Sequence, residues 1–274
     1  MSNAIEIVCV GNELLIGKTL NTNAQWLAKR ITTMGLNVKR IITIGDDTDE
    51  ISQALKECLK RKPAFIITTG GLGPTFDDKT LEGIAKALNR KLETNQQALK
   101  MVEKKYRQYQ KEGKIEKVEL TPPRIKMATL PENSQPIENP IGTAPAVLTT
   151  QNNTTIIALP GVPSEMKAIF EESLMPLLRK TLGDMTFFET SLEVSGIMES
   201  DMAPLIDKVM HDNPYVYVKS HPKGEEKIPR IELHISTTAK NTQEAKERVS
   251  KTLIQISEMI QAKGGKIKPT KAKA

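Results

Sequence analysis

Residues 66 to 80 read IITTGGLGPTFDDKT. The run that begins near Ala64 and carries Ile66 and Ile67 is apolar and β-branched, which reads as a short buried strand. It breaks into Gly70, Gly71, Gly73 and Pro74, residues that end a strand and permit tight turns. Thr75, Asp77 and Asp78 follow as candidate caps for a helix. Leu81, Ile84, Ala85 and Leu88 then recur at the spacing of one helical face. The stretch is therefore strand, glycine loop, helix. Glycines let a ligand approach backbone N–H groups, so such a loop suits an anion. Two acids in the same turn would repel a bare phosphate, and a divalent cation between them would reconcile the two. The stretch lacks the GxxxxGK[ST] phosphate loop and the GxGxxG dinucleotide pattern, and a plain tight turn remains the alternative reading.

Two similar units precede it. Glu6 to Val10 reads as a strand, followed by GNELLIG and a helix from about Asn21 to Met34, with Gly35 as its end. Val38 to Ile44 is the next strand. Gly45-Asp46-Asp47-Thr48-Asp49 forms the turn after it, with Asp49 as the expected N-cap of a helix carrying Ile51, Ala54, Leu55, Cys58 and Leu59. Strand and helix in alternation imply a parallel sheet covered on both faces. Ligands of such sheets bind outside the carboxyl ends of the strands. Glu13 with Asn21 and Asn23, Asp46 with Asp47, and the stretch Gly70 to Asp78 should therefore share one edge. Each acid read alone is an ordinary cap or solvated loop residue.

Further along, Asn95 to Lys111 reads as a long lysine-rich helix, ended by Thr121-Pro122-Pro123. Arg124 to Leu130 reads as a strand, and Pro131 to Pro145 as a long loop, a feature often tied to function. Ala146 to Thr150 and Thr155 to Leu159 flank the turn former Asn152-Asn153 and read as a hairpin. Near Gly183 the pattern changes to strand–helix–strand–strand–helix, a small α+β module. Residues 1–170 are expected to form a ligand-binding domain and residues 183–262 a second one. The lysine-rich stretch 263–274 is expected to be a disordered tail.

Composition narrows the class. The chain has 274 residues, 26% charged and 38% hydrophobic, enough to bury a core. No apolar run reaches the roughly 20 residues that span a bilayer, and no leader pattern opens the chain. Cys9 and Cys58 read as buried thiols, consistent with a cytoplasmic protein. The net charge of +6 owes most of its excess to the five lysines of the tail, so nucleic acid is not an expected partner.

Four blocks now stand out in order: GNELLIGKTLNTNAQWLA, TTGGLGPTFDDKT, KMATLPENSQPIENPIGTAP and LPGVPSEM. Together they resemble the molybdopterin-binding-like domain that opens the competence/damage-inducible CinA proteins. The small module after Gly183 resembles the KH-like domain of the same proteins. The resemblance implies an α/β three-layer sandwich with a parallel sheet, followed by a small α+β domain. It also implies a homodimer and a metal-dependent ADP-ribose pyrophosphatase, an enzyme hydrolysing a diphosphate bond. The deamidase domain that CinA proteins usually carry at their end has no counterpart here, so its activity is not carried over.

On the matching motif positions stand Glu13, Asn23, Gly71, Gly73, Thr75, Asp78, Asn139, Gly142 and Thr143. The diphosphate would lie over Gly70 to Thr75. Asp46, Asp47 and Asp78 would hold Mg²⁺ or a similar ion. Glu13 and Asp78 would be the catalytic pair, with Glu13 as base or supporting group. Asn23 and Asn139 would bond ribose or phosphate oxygens. Ala146 departs from the usual glycine after GTAP, and its methyl group would alter binding if that backbone touches the ligand. Two other readings compete. One is a molybdopterin-binding or adenylylating protein of molybdenum cofactor biosynthesis, with a pterin ligand. The other is a non-enzymatic nucleotide sensor or RNA-associated protein. The absence of a GXXG stretch after Gly183 counts against RNA.

Overall fold

A computed structural model describes residues 4–223 and 229–269. The chain divides into two compact units, one holding Leu36–Gly183 and the chain before Thr32, the other Thr32–Gly35 and the chain from Asp184 on. In chain order the first unit begins with β1 (Ala4–Val10), α1 (Asn12–Leu15), α2 (Thr22–Thr33), β2 (Asn37–Ile44), α3 (Thr48–Lys60), β3 (Phe65–Thr69) and α4 (Thr80–Leu88). It continues with β4 (Leu92–Thr94), α5 (Gln96–Lys111), α6 (Pro122–Lys126), β5 (Thr129–Pro131), β6 (Gln135–Ile137), β7 (Ala146–Gln151) and β8 (Thr154–Leu159). It ends with α7 (Pro163–Ile169), a π-helical turn (Phe170–Leu174) and α8 (Met175–Leu182).

Six strands form one sheet in the order β2-β1-β3-β8-β7-β6. The first four are parallel, and the β7–β8 hairpin and β6 close one side antiparallel. This is the mostly parallel α/β sheet expected from the alternating pattern. Ile5, Ile7, Ile66, Ile67 and Ile157 are fully buried, as strands covered on both faces require. One face packs Val8, Ile66 and Ile156 against Leu55 of α3, Ile84 of α4 and Val102 of α5. On the other, α2 and the π-helical turn are joined by the edge-on ring contact of Trp26 with Phe170 and by the Arg30–Glu171 ion pair.

Because β1, β2, β3 and β8 run parallel, their carboxyl ends share one edge. The loops at Gly11, Gly45, Gly70 and Pro160 all leave from it. At Gly70 the glycine is required. Its φ is +104°, and an added Cβ would lie 2.1 Å from the Val10 carbonyl oxygen. Gly161 approaches less closely from β8, where a Cβ would sit 3.3 Å from Gly70 Cα.

Several local expectations are corrected. Residues 124–126 are helical, since Pro122 and Pro123 suit a first helical turn and start α6; only Thr129–Pro131 pairs as a strand, with β4. The N-cap of α3 is Asp47, whose carboxylate accepts from the Asp49 and Glu50 amides, so Asp49 lies inside the helix. Asp77 and Asp78 do not cap α4, which starts at Thr80 without a side-chain cap.

The second unit holds β9 (Thr186–Ser195), α9 (Glu199–Asp212), β10 (Val216–Pro222), β11 (Arg230–Ala239), α10 (Thr242–Ala262) and β12 (Lys266–Pro269). Its antiparallel sheet has the order β10-β11-β9-β12. Leu192, Val194, Leu233 and Ile235 pack under Met202, Val209, Val249 and Ile256 of the two helices. The disordered tail expected from residue 263 is corrected here. Lys266 to Pro269 pair with Ser195 to Leu192 as an edge strand, a position where lysines are at home. Lys271 and Lys273 of that expectation lie outside the described residues.

Candidate functional site

The loops at the shared strand edge enclose a cleft of about 460 Å³. Three tethers hold its glycine loop. The Leu72 side chain is sunk in the core, the Thr80 hydroxyl donates to the Gly70 carbonyl at 2.8 Å, and the Thr80 amide donates to the Gly71 carbonyl at 3.1 Å. Between these anchors the amides of Gly71, Leu72 and Gly73 have no acceptor among the described residues. Successive unpaired N–H groups in a turn are the donors from which anion-binding nests are built.

The loop then closes on itself. Asp78 Oδ2 accepts from the Thr75 amide at 2.8 Å and from the Thr75 hydroxyl at 2.5 Å. The same hydroxyl contacts Asp77 Oδ1. That contact, its own backbone N–H and the nearby charges of Lys126 and Lys79 hold the Asp77 carboxyl below the usual range. Asp78 thus shapes the loop, and both acids line the cleft.

Across the cleft, Glu13 comes from α1 and Asp46 from the turn after β2. Asp46 Oδ2 accepts from the Asn12 amide at 2.8 Å, and Asn12 Oδ1 accepts from the Asp46 amide at 3.3 Å, a reciprocal clasp that binds two loops together. Asp47 is absent from the lining; its carboxyl is held low by the two α3 amides it caps. Asn23 occupies the floor. Its Nδ2 donates to Thr69 Oγ1 at 3.0 Å and to the Gly161 carbonyl at 2.8 Å. Both partners accept, which fixes the amide orientation. Its buried Oδ1 has no partner among the described residues.

The third wall comes from the long loop and α7. Thr143 lines the cleft, whereas Asn139 and Gly142 lie behind it. Asn139 is buried, and its Oδ1 accepts from the Ile141 and Gly142 amides while its Nδ2 donates to the Ala144 carbonyl and to Glu165 Oε2. It builds the loop. A Cβ on Gly142 would fall 2.0 Å from Glu165 Oε2. Ala146 is buried in β7 and does not line the cleft.

The sequence reading missed two residues. Glu165 joins Glu13, Asp46, Asp77 and Asp78 as a fifth carboxylate in the lining. Its place in the first turn of α7, one residue after the LPGVPS turn, was the available signal. The other is Lys126 of α6, whose ammonium reaches the Thr75 carbonyl. Among the described residues that line the cleft there is no lysine, arginine or histidine. No three acidic, histidine or cysteine groups among the described residues gather as a ready metal cage. Asp46 and Asp78 fit a Mg²⁺-like ion only if ligand oxygens and water complete its shell, the usual habit of that ion.

A mostly parallel α/β sheet with a cleft at the carboxyl edge of its strands and a glycine loop on one wall defines the class. The particular family follows from the comparisons. Residues 6–180 match the model described as probable molybdopterin binding domain, and the chain belongs to that family. It is 43% identical over 263 residues to a protein of Sulfurisphaera tokodaii, covering 96% of this chain and 97% of the relative. It is 44% identical over 260 residues to one of Pyrobaculum calidifontis, covering 94% and 95%. Among solved structures it is similar to the protein CinA, of unknown function, from Thermoplasma acidophilum. That likeness has 39% identity and a TM-score of 0.58, and covers 64% of this chain and 98% of that one. The family match overturns the expectation of an ADP-ribose pyrophosphatase, since the model that covers the cleft-bearing domain is described as a probable molybdopterin binding domain and points to no such hydrolase. Among the described residues no helix is long and apolar enough to cross a membrane.

Proposed function

We propose that the cleft binds molybdopterin, a pterin whose side chain ends in a phosphate. The observation that carries this reading is the coexistence of two complementary surfaces in one cleft. The unpaired amides of Gly71, Leu72 and Gly73 suit the phosphate. The carboxylates of Glu13, Asp46 and Glu165 suit the amino and ring N–H donors along one edge of a pterin, since ionised carboxylates only accept. The orphan Asn23 Oδ1 offers a further acceptor. Five carboxylates without a lining cation disfavour a bare phosphate, so a divalent ion between Asp46 and Asp78 would enter with the ligand and screen its charge.

The test is direct retention. Molybdopterin released anaerobically from a molybdoenzyme is incubated with the protein and Mg²⁺, passed through gel filtration, and oxidised to its fluorescent form. Near-equimolar pterin in the protein peak is expected, reduced when EDTA replaces Mg²⁺. A protein peak without pterin fluorescence in either buffer would overturn the reading.

A further inference from the structure

The glycine loop has an electrostatic difficulty that its own lining does not resolve. Asp77 and Asp78 belong to the loop that must receive an anion, and Glu13, Asp46 and Glu165 face it. The compensating charge comes from behind. Lys126 projects from α6, half-buried, and its ammonium donates to the Thr75 carbonyl. It also lines a second, largely apolar hollow with Leu81, Leu92 and Ile125. Gly71, Leu72, Gly73 and Asp78 form walls of that hollow as well as of the cleft. The glycine loop is thus a thin partition: Asp77, Glu13, Asp46 and Glu165 line the cleft side, Asp78 lines both sides, and on the back, in a hollow that also holds Glu82, the Lys126 ammonium is fixed to Thr75. Lys126 is also among the charges that keep the Asp77 carboxyl ionised.

We infer that Lys126 is a positioning residue for the phosphate of the ligand. Acting through the Thr75 peptide and not by touching the ligand, it sets the loop and supplies the positive charge that lets Gly71–Gly73 accept an anion beside two aspartates. A cation bound to the Thr75 carbonyl polarises the Thr75–Phe76 peptide itself, so its effect on Gly71–Gly73 is exerted through loop geometry and through space. This rests on the reading of the cleft as a site for a phosphate-bearing ligand, and not on the ligand being a pterin.

The experiment separates the two. Lys126→Met keeps the aliphatic stem and removes the charge, and Lys126→Arg keeps the charge. Each is titrated at low salt with 6-hydroxymethylpterin monophosphate, with unphosphorylated 6-hydroxymethylpterin, and with inorganic phosphate followed by phosphorus NMR. Lys126→Met should bind both phosphate-bearing probes about tenfold more weakly, the loss of a charge-assisted contact. It should bind the unphosphorylated pterin as the wild type does, with an unchanged melting temperature, and Lys126→Arg should recover most of the loss. An equal loss for phosphorylated and unphosphorylated pterin, or no loss at all, would overturn the role. If the wild type binds phosphate in a Lys126-dependent way but neither pterin, the inference stands and the molybdopterin reading falls. If it binds none of the three probes, both fall.

Discussion

Asn139 Nδ2 lies 2.7 Å from Glu165 Oε2, so a loop before β7 and the first turn of α7 form one wall of the cleft through a single side-chain pair. The same asparagine satisfies two loop amides and the Ala144 carbonyl. Replacing it by alanine leaves those buried groups unpaired, at about 1–3 kcal/mol for such a loss. Asn139→Ala should therefore lower the urea midpoint and weaken pterin retention together. Unchanged stability with reduced retention would instead make Asn139 a direct ligand contact.

Gly142 tests the same wall sterically. Alanine there would put a methyl group against the Glu165 carboxylate. Backbone strain is not involved, because Gly142 has no left-handed φ. The expected outcome is a folded protein in which Glu165 is displaced and pterin binding falls at least several-fold. A second change, Glu165→Ala, should remove the clash and leave no further effect of Gly142→Ala on binding.

Gly70 should behave differently. Alanine at φ +104° meets the Val10 backbone, which cannot swing aside as a side chain can. Strain of this kind costs about 1–3 kcal/mol before the clash is added. Gly70→Ala should give little soluble protein, or a melting temperature lowered by many degrees. A variant melting with the wild type would show that β1 and β3 are less tightly registered than described.

Glu6 supplies a pH-dependent test. It is 2% exposed in β1 and accepts from Arg61 Nε at 2.8 Å and Nη2 at 2.6 Å, with Arg40 at 3.6 Å. Burial alone would raise its carboxyl pKa, but the hydrogen bonds and charge from Arg61 lower it overall. A depressed carboxylate stabilises the fold above the unfolded pKa, near 4.5, and that contribution is lost as pH falls through the folded value. Arg61→Ala should cost about 1–3 kcal/mol at pH 7, since it removes both short hydrogen bonds and leaves the buried carboxylate with only the longer Arg40 contact. The gap from wild type in calorimetry should narrow below pH 4.5. A gap independent of pH would mean that Arg61 acts through packing alone.

Much of this was legible in the sequence because local signals agreed with one another. The β-branched run before Gly70 and the helical spacing after Thr80 read the same way at every level. Hydrophobic period and parallel order together located the cleft edge. What was not legible depended on direction. Asp47 and Asp78 are equivalent as letters, yet one turns to cap α3 and the other folds back on Thr75. Asn139 carries the same polar groups whether it faces a ligand or its own loop. The widened turn at Phe170–Leu174 was also hidden. Pro176 follows it and cannot donate to the preceding turn, a loss the wider turn accommodates. Lys126 was overlooked among many lysines, because only the tertiary fold brings α6 to the back of the glycine loop.

The short strand β12 has a practical bearing on how the protein is handled. It occupies the outer side of β9, opposite Leu192 to Ser195. A chain shortened after Ala262 would uncover that row of backbone donors and acceptors, a ready template for strand exchange with another molecule. Expression designs that trim the lysine-rich end to improve behaviour would then promote aggregation. A purification handle is better joined beyond Pro269, with a linker long enough to leave the added strand in place.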